Sequence, residues 1–192
     1  MARKACVAVG AVLRLTPVLP RPAKRPIRAM GWVFAYGSLM GDAVLARYPA
    51  RPARLAGYHR EFAHESRRRW GSPERPCPIL GLVQGGECWG LAYAVPPEDE
   101  ARIARGLAHR EAAKERRRVV KTVETPDGEV SAWVWVSGEG TRDDAATLEA
   151  RLRAAHGIVG NGTEYVRTVA QALDQHGLHD PLVNALWSRL VS

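Results

Sequence analysis

The 192-residue sequence predicts an α+β fold, with strands and hairpins in its first half and helices in its last third. Three observations predict it. Apolar and aromatic runs of strand length, bounded by Gly, Pro and Asp, recur between Gly31 and Val136. A single helical stretch opening near Pro97 interrupts them. Beyond Thr141 the apolar residues take helical spacing, punctuated by Gly157, Gly177 and Asp180-Pro181. With 46% hydrophobic residues, including six Trp, the chain can fill one core, so residues 30–192 are expected to form one domain.

The elements follow in order. Gly31 to Tyr36 reads as a buried strand. It then breaks into Gly37-Ser38-Leu39, where glycine would let backbone N–H groups approach a ligand. Arg54 to Phe62 is a partly alternating strand. Ile79 to Val83 and Cys88 to Val95 are two apolar runs, and Gly85-Gly86 between them predicts a hairpin. Pro97 opens a helix with Glu98, Asp99 and Glu100 in its first turn, running towards His109. Val119 to Glu124 and Val130 to Val136 flank Pro126-Asp127-Gly128, a second hairpin. Val130, Ala132, Val134 and Val136 share one face of the last strand while Trp133 and Trp135 share the other. Two apolar faces fit a strand covered on both sides, or one wall of a small barrel.

Thr141 to Asp144 has the spacing of a capping box for the next helix, whose Leu148, Leu152 and Ala155 face inward and which Gly157 can stop. Thr163 can cap the following helix, with Val166, Val169, Ala170 and Leu173 as its core stripe. Asp180-Pro181 opens the last, with Leu182, Leu186 and Leu190 inward.

The net charge of +8 suggests nucleic acid until it is located. Residues 1–29 hold seven basic residues and no acidic ones, leaving 21 basic against 20 acidic from position 30 onward. The basic charge belongs to this Pro-containing extension, which reads as a disordered tail, with Met30 a candidate start. A targeting or nucleic-acid-binding arm stays open as an alternative. The domain itself gives no sign of a nucleic-acid partner, and no apolar run approaches the roughly 18 residues of a membrane span. Cys6, Cys77 and Cys88 form no paired framework, which suits a reducing cytoplasm and buried free thiols.

No nucleotide-binding glycine pattern, zinc-finger spacing or GxSxG is present. His59, Glu61 and His64 are poorly disposed for a metal, since His64 points away from the other two on a strand. Ser38 lacks a histidine in motif relation. The run Arg67-Arg68-Arg69-Trp70 fits a solvated loop better than a phosphate site. Glu111 closes the helix that begins at Pro97, where a carboxylate opposes the dipole. On sequence physics alone it reads as a surface residue balanced by Arg110 and Arg116-Arg117-Arg118, with a functional role the open alternative.

Taken in order, these segments resemble the γ-glutamylcyclotransferases, and within them the ChaC-like, glutathione-specific branch. The resemblance rests on Phe34-Ala35-Tyr36-Gly37-Ser38-Leu39, then Ala53-Arg54-Leu55-Ala56-Gly57-Tyr58-His59-Arg60-Glu61-Phe62 and Gly71-Ser72-Pro73-Glu74-Arg75-Pro76. It continues through Gly81-Leu82-Val83 with Gly85 to Tyr93, Arg110-Glu111, and Asn161-Gly162-Thr163-Glu164-Tyr165-Val166. Six blocks in order make it specific, from residue 31 to the C-terminus.

The resemblance implies an α+β fold around a small mixed β-barrel and a reaction without metal or cofactor. The substrate would be a small γ-glutamyl compound, glutathione first, converted to 5-oxoproline and cysteinylglycine. Glu111 would be the proton carrier. The backbone of Tyr36, Gly37, Ser38 and Leu39 would hold the substrate's α-carboxylate or stabilise its carbonyl oxygen, and Tyr165 would line the pocket. The alternatives are the same reaction on another γ-glutamyl amine or peptide, or a catalytically silent relative that binds a small ligand or a partner. Three departures bear on which γ-glutamyl compound is taken. Met40-Gly41-Asp42 stands where the family often has tryptophan, the glycine-tyrosine turn after Arg110-Glu111 is missing, and Trp70 replaces a basic residue.

Overall fold

The computed structural model describes residues 31–112, 116–140 and 143–192. The basic extension, Cys6, Lys114-Glu115 and Thr141-Arg142 lie outside the described residues. Five strands close a barrel, β1 (Gly31–Ala35), β2 (Ala50–Ser66), β3 (Cys77–Val95), β4 (Arg117–Thr125) and β5 (Gly128–Val136). Their order around it is β1-β3-β2-β4-β5, and closure comes from a parallel pairing of β1 with β5 at Trp32↔Ala132 and Val33↔Trp133. The other pairings are antiparallel, so the barrel is mixed, as the resemblance implies. Four helices pack outside it, α1 (Pro97–Ala112), α2 (Ala145–Ala154), α3 (Gly162–Gln175) and α4 (Pro181–Val191). No helix among the described residues is long and apolar enough to cross a membrane.

Side-chain alternation divides the core in two. Phe34, Tyr36, Leu55, Leu82, Ala132 and Val134 fill the barrel. Val33, Ala35, Leu91 and Trp135, on the opposite faces of their strands, meet Leu107 of α1, Leu152 of α2, Val169 of α3 and Leu186 of α4. The two apolar faces of β5 thus have two destinations, with Trp135 under the helices and Ala132, Val134 and Val136 inside.

The expected hairpin at Gly85-Gly86 does not form. β3 runs unbroken from Cys77 to Val95 against β2. Gly85 (φ 112°) and Gly86 (φ 62°) instead face Gly57 (φ 80°) in a bulge, where the register jumps from Ala56↔Glu87 to Tyr58↔Gln84. Left-handed glycines serve a bulge as well as a tight turn, and the long partner strand decides between them. The hairpin at Pro126-Asp127-Gly128 does form, with Gly128 at φ 121°.

The caps also differ. Asp144, whose side chain accepts from Thr147 N–H, opens α2. Asn161 rather than Thr163 caps α3, in a full capping box with Glu164. Ala155, not Gly157, ends α2. Gly157 is small for another reason, since a Cβ there would lie 2.4 Å from the Arg69 carbonyl oxygen. In α4 the fully buried positions are Val183, Leu186 and Leu190, with Leu182 only partly covered.

Candidate active site

At the end of β1 the chain leaves the barrel with Tyr36 still anchored inside it, its hydroxyl donating to the Trp135 carbonyl at 2.8 Å. Burial pushes the phenol up to about 12, so Tyr36 is neutral at physiological pH. Residues 37–41 then turn, closed by Met40 N–H to the Gly37 carbonyl at 2.9 Å. Among the described residues the N–H groups of Gly37, Ser38 and Leu39 have no hydrogen-bond acceptor. They border a pocket also lined by Ser66, Trp70, Leu80, Arg116 and Tyr165. Gly37 has an ordinary backbone conformation, and a Cβ on it would lie 3.6 Å from the Tyr165 hydroxyl. The glycine thus leaves room inside the pocket and relieves no strain in the fold.

The capping box delivers Tyr165. Asn161 and Glu164 set the start of α3, and one residue later the Tyr165 ring turns into the pocket. Its hydroxyl accepts from Leu80 N–H at 2.8 Å, and Trp70 packs edge-on against its ring at 5.5 Å. Burial raises the Tyr165 pKa strongly.

Glu111 is not on the surface. In the last turn of α1 it is only 1% exposed, overturning the reading of it as a solvated carboxylate. The cations expected to balance it at the surface instead enclose it. Arg116 Nη1 donates to Glu111 Oε2 at 2.5 Å, and Arg110 Nε stands 3.7 Å from Oε1. Arg110 also donates to Ser38 Oγ at 3.1 Å and pairs with Asp42, tying α1 to the loop after β1. A side-chain chain therefore runs Ser38–Arg110–Glu111–Arg116 behind and into the pocket.

Arg116 itself reaches the pocket. Its guanidinium lies 5.8 Å from the Tyr36 ring centroid, donates to the Leu80 carbonyl, and leaves Nε buried without a partner among the described residues. Burial opposes its charge, but Tyr36, Glu111 and Tyr165 and the Glu111 hydrogen bond outweigh that and raise its pKa. Burial also lowers that of Arg69 at the pocket edge, with Arg110 adding to the effect. Cys77 and Cys88 are buried free thiols pushed up to about 12 and about 11, which suits packing rather than nucleophilic chemistry.

The structure thus brings Tyr36, Gly37, Ser38, Leu39 and Tyr165 to one pocket and sets Glu111 one side chain behind it, beyond Arg116. The sequence reading gives Arg116 and Asp42 no place at the site, and Trp70, which it puts in a solvated loop and counts as a departure from the family, packs on Tyr165 at the pocket instead. For Arg116 a signal existed, since a basic run following a helix-terminal carboxylate can fold back onto it.

The ChaC-like protein family profile matches residues 31–191. The chain is 30% identical over 173 residues to the glutathione-specific γ-glutamylcyclotransferase of Escherichia coli (strain K12), spanning 85% of this chain and 74% of that one. To the glutathione-specific γ-glutamylcyclotransferase 1 of Rattus norvegicus it is 27% identical over 198 residues, covering 89% and 87%. The crystal structure of a γ-glutamyl cyclotransferase specific to glutathione from yeast matches with a TM-score of 0.75 at 18% identity. That match covers 84% of this chain and 95% of that one, and it shows the shared fold.

Proposed function

The chain belongs to the ChaC-like protein family, and we propose that it is a γ-glutamylcyclotransferase converting glutathione to 5-oxoproline and cysteinylglycine. The observation that carries this reading is a buried carboxylate, Glu111, set behind a pocket whose rim offers three unengaged backbone N–H groups.

The chemistry asks for little more. The α-amine of the γ-glutamyl group attacks its own γ-carbonyl carbon, a C–N bond closes the five-membered ring, and the bond to the cysteine nitrogen breaks. Nucleophile and electrophile share one molecule, so the pocket's first task is to fold the substrate into an attacking pose. The second is to move protons, because the α-ammonium sheds two on becoming the lactam N–H. Glu111 takes the first from the ammonium and passes it to solvent, then carries the second from the attacking nitrogen to the departing amine, a service typically worth about 10² to 10⁴ in rate. The third is to meet developing negative charge. The N–H groups of Gly37, Ser38 and Leu39 suit the γ-carbonyl oxygen as it becomes anionic, and one such donor contributes about 3 to 4 kcal/mol. Every atom of the products comes from the substrate, so this reading calls for no cofactor. The two described cysteines are free, which supports a cytoplasmic place of action.

A second reading keeps the reaction and changes the leaving amine. It is favoured by Trp70, whose ring reaches Tyr165 at the pocket where the resemblance leads one to expect a basic residue.

The test is 5-oxoproline release from glutathione by the purified protein and its Glu111→Gln variant, with γ-glutamylalanine and γ-glutamyl-ε-lysine alongside. The parent is expected to act on glutathione, and the variant to lose about 10²-fold or more. Turnover of another γ-glutamyl substrate alone supports the second reading. No product from any of the three by folded protein refutes both.

A further inference from the structure

Arg116 occupies the place from which Glu111 must work. The pocket encloses only about 20 Å³ of free space, room for about one water, and Arg116 lines it while Glu111, which Arg116 contacts, does not. The contact at 2.5 Å puts a cation on the carboxylate oxygen Oε2. Glu111 Oε2 must lose this partner before an ammonium can give it a proton.

The group on which the guanidinium can settle is set by the ligand's own chemistry. A γ-glutamyl head carries an ammonium and a carboxylate on one carbon. The Glu111–Arg116 pair is its electrostatic complement, with anion and cation adjacent. The ligand's ammonium can replace Arg116 on Glu111 while its α-carboxylate takes the guanidinium, so both pairs form where one was broken. Arg116 also has a donor to spare, the buried Nε without a partner among the described residues. A buried unsatisfied donor is costly, and an acceptor entering the pocket would relieve that cost. Planar guanidinium and carboxylate match in two parallel hydrogen bonds.

We infer that Arg116 is a specificity-determining residue that holds Glu111 in the empty pocket and passes to the α-carboxylate of an α-amino-acid head when it enters, releasing Glu111 to its ammonium. The inference rests on the reading of this pocket as the γ-glutamyl site. It leaves the N–H groups of Gly37, Ser38 and Leu39 to the γ-carbonyl oxygen. Selectivity for the amino-acid head and availability of the base thereby become one event, since a ligand without the carboxylate leaves the guanidinium on Glu111.

The experiment uses two ligands that differ only in the α-carboxylate, L-glutamate and 4-aminobutanoate. Each is titrated calorimetrically into the parent, Arg116→Met and Arg116→Gln proteins, with folding checked by circular dichroism. The parent is expected to prefer L-glutamate by roughly 30-fold or more, the low end for truncating a buried charge pair. Arg116→Met should bring the two ligands within about 3-fold of each other. Arg116→Gln, which keeps a donor for the Leu80 carbonyl, gives the same readout if the methionine variant does not fold. A parent without preference, or a folded variant that keeps it, overturns the inference. The binding readout needs no turnover. A parent that prefers L-glutamate yet releases no 5-oxoproline refutes the cyclotransferase reading and leaves the role of Arg116 standing.

Discussion

Arg60 offers the most severe test of how the fold holds the loop after β1. It sits on β2 with its side chain 1% exposed. Nε donates to the Tyr36 carbonyl and Nη2 to the Trp89 carbonyl, each at 2.6 Å. Nη1 pairs with Asp180, the residue that caps α4 by accepting from Val183 N–H. One side chain therefore joins β1, β3 and α4. Arg60→Met keeps most of the aliphatic volume and removes every donor. Breaking one side of a buried ion pair costs about 3 to 5 kcal/mol, and each stranded carbonyl about 1 to 3. These contributions overlap, and Asp180 is 13% exposed and keeps its capping bond, so we expect a loss of about 4 kcal/mol. At about 2 to 4 °C per kcal/mol for a domain of this size, the melting midpoint should fall by about 8 to 16 °C. Urea and thermal unfolding measure it. Asp180→Asn retains an effective cap without the charge, so adding it should lessen the cost of Arg60→Met by about 1 to 3 kcal/mol. A loss below about 1 kcal/mol, or strict additivity of the two substitutions, would refute the reasoning.

Gly37→Ala should separate folding from function. The new methyl meets Tyr165 and Leu80 at ordinary contact distances, so stability should stay within about 0.5 kcal/mol, while kcat/KM for glutathione falls at least about 10-fold. A large stability loss with kcat/KM intact would contradict the placement of this glycine. Alkaline titration tests the barrel interior. Tyr36 has a folded pKa raised to about 12 against an unfolded value near 10, so the native state keeps the proton longer and stability falls as pH rises through that window. The loss from Tyr36 alone should reach about 2 kcal/mol by pH 12, and phenolate absorbance should appear together with unfolding. Ionisation at pH 10 in still-folded protein for all five tyrosines would count against a buried Tyr36.

Much of the architecture was legible because local pattern and tertiary outcome agree. Alternation in Val130 to Val136 announced two packed faces, and each went to its own cluster. Asp180-Pro181 opened a helix where capping chemistry says it should. Gly85-Gly86 misled because positive φ is all that local sequence reveals, and only the 17-residue partner strand β2 turns it into a bulge. Thr163 yielded to Asn161 because a capping box needs Glu164 three residues on, a spacing only Asn161 has. The pocket was legible through family likeness at Tyr36 to Leu39 and at Tyr165. Glu111 was the hard case. A helix considered alone gives a terminal carboxylate no reason to be buried, and the reason comes from Arg110 and Arg116, which chain reversal brings to it.

The parallel seam between β1 and β5 has a consequence for the order of events during synthesis. The hydroxyl of Tyr36 finds its acceptor on Trp135, 99 residues later. At roughly 5 to 20 residues per second, a ribosome needs about 5 to 20 s to supply that acceptor. Until then β1 can pair only with β3, and the residues that will border the pocket hang from an unclosed sheet edge. The first strand of the domain to emerge is thus among the last to be locked, and the nascent chain carries an exposed apolar edge for that whole interval. A message stalled between β4 and β5 would release a chain with every residue lining the pocket except Tyr165 and no barrel to hold them.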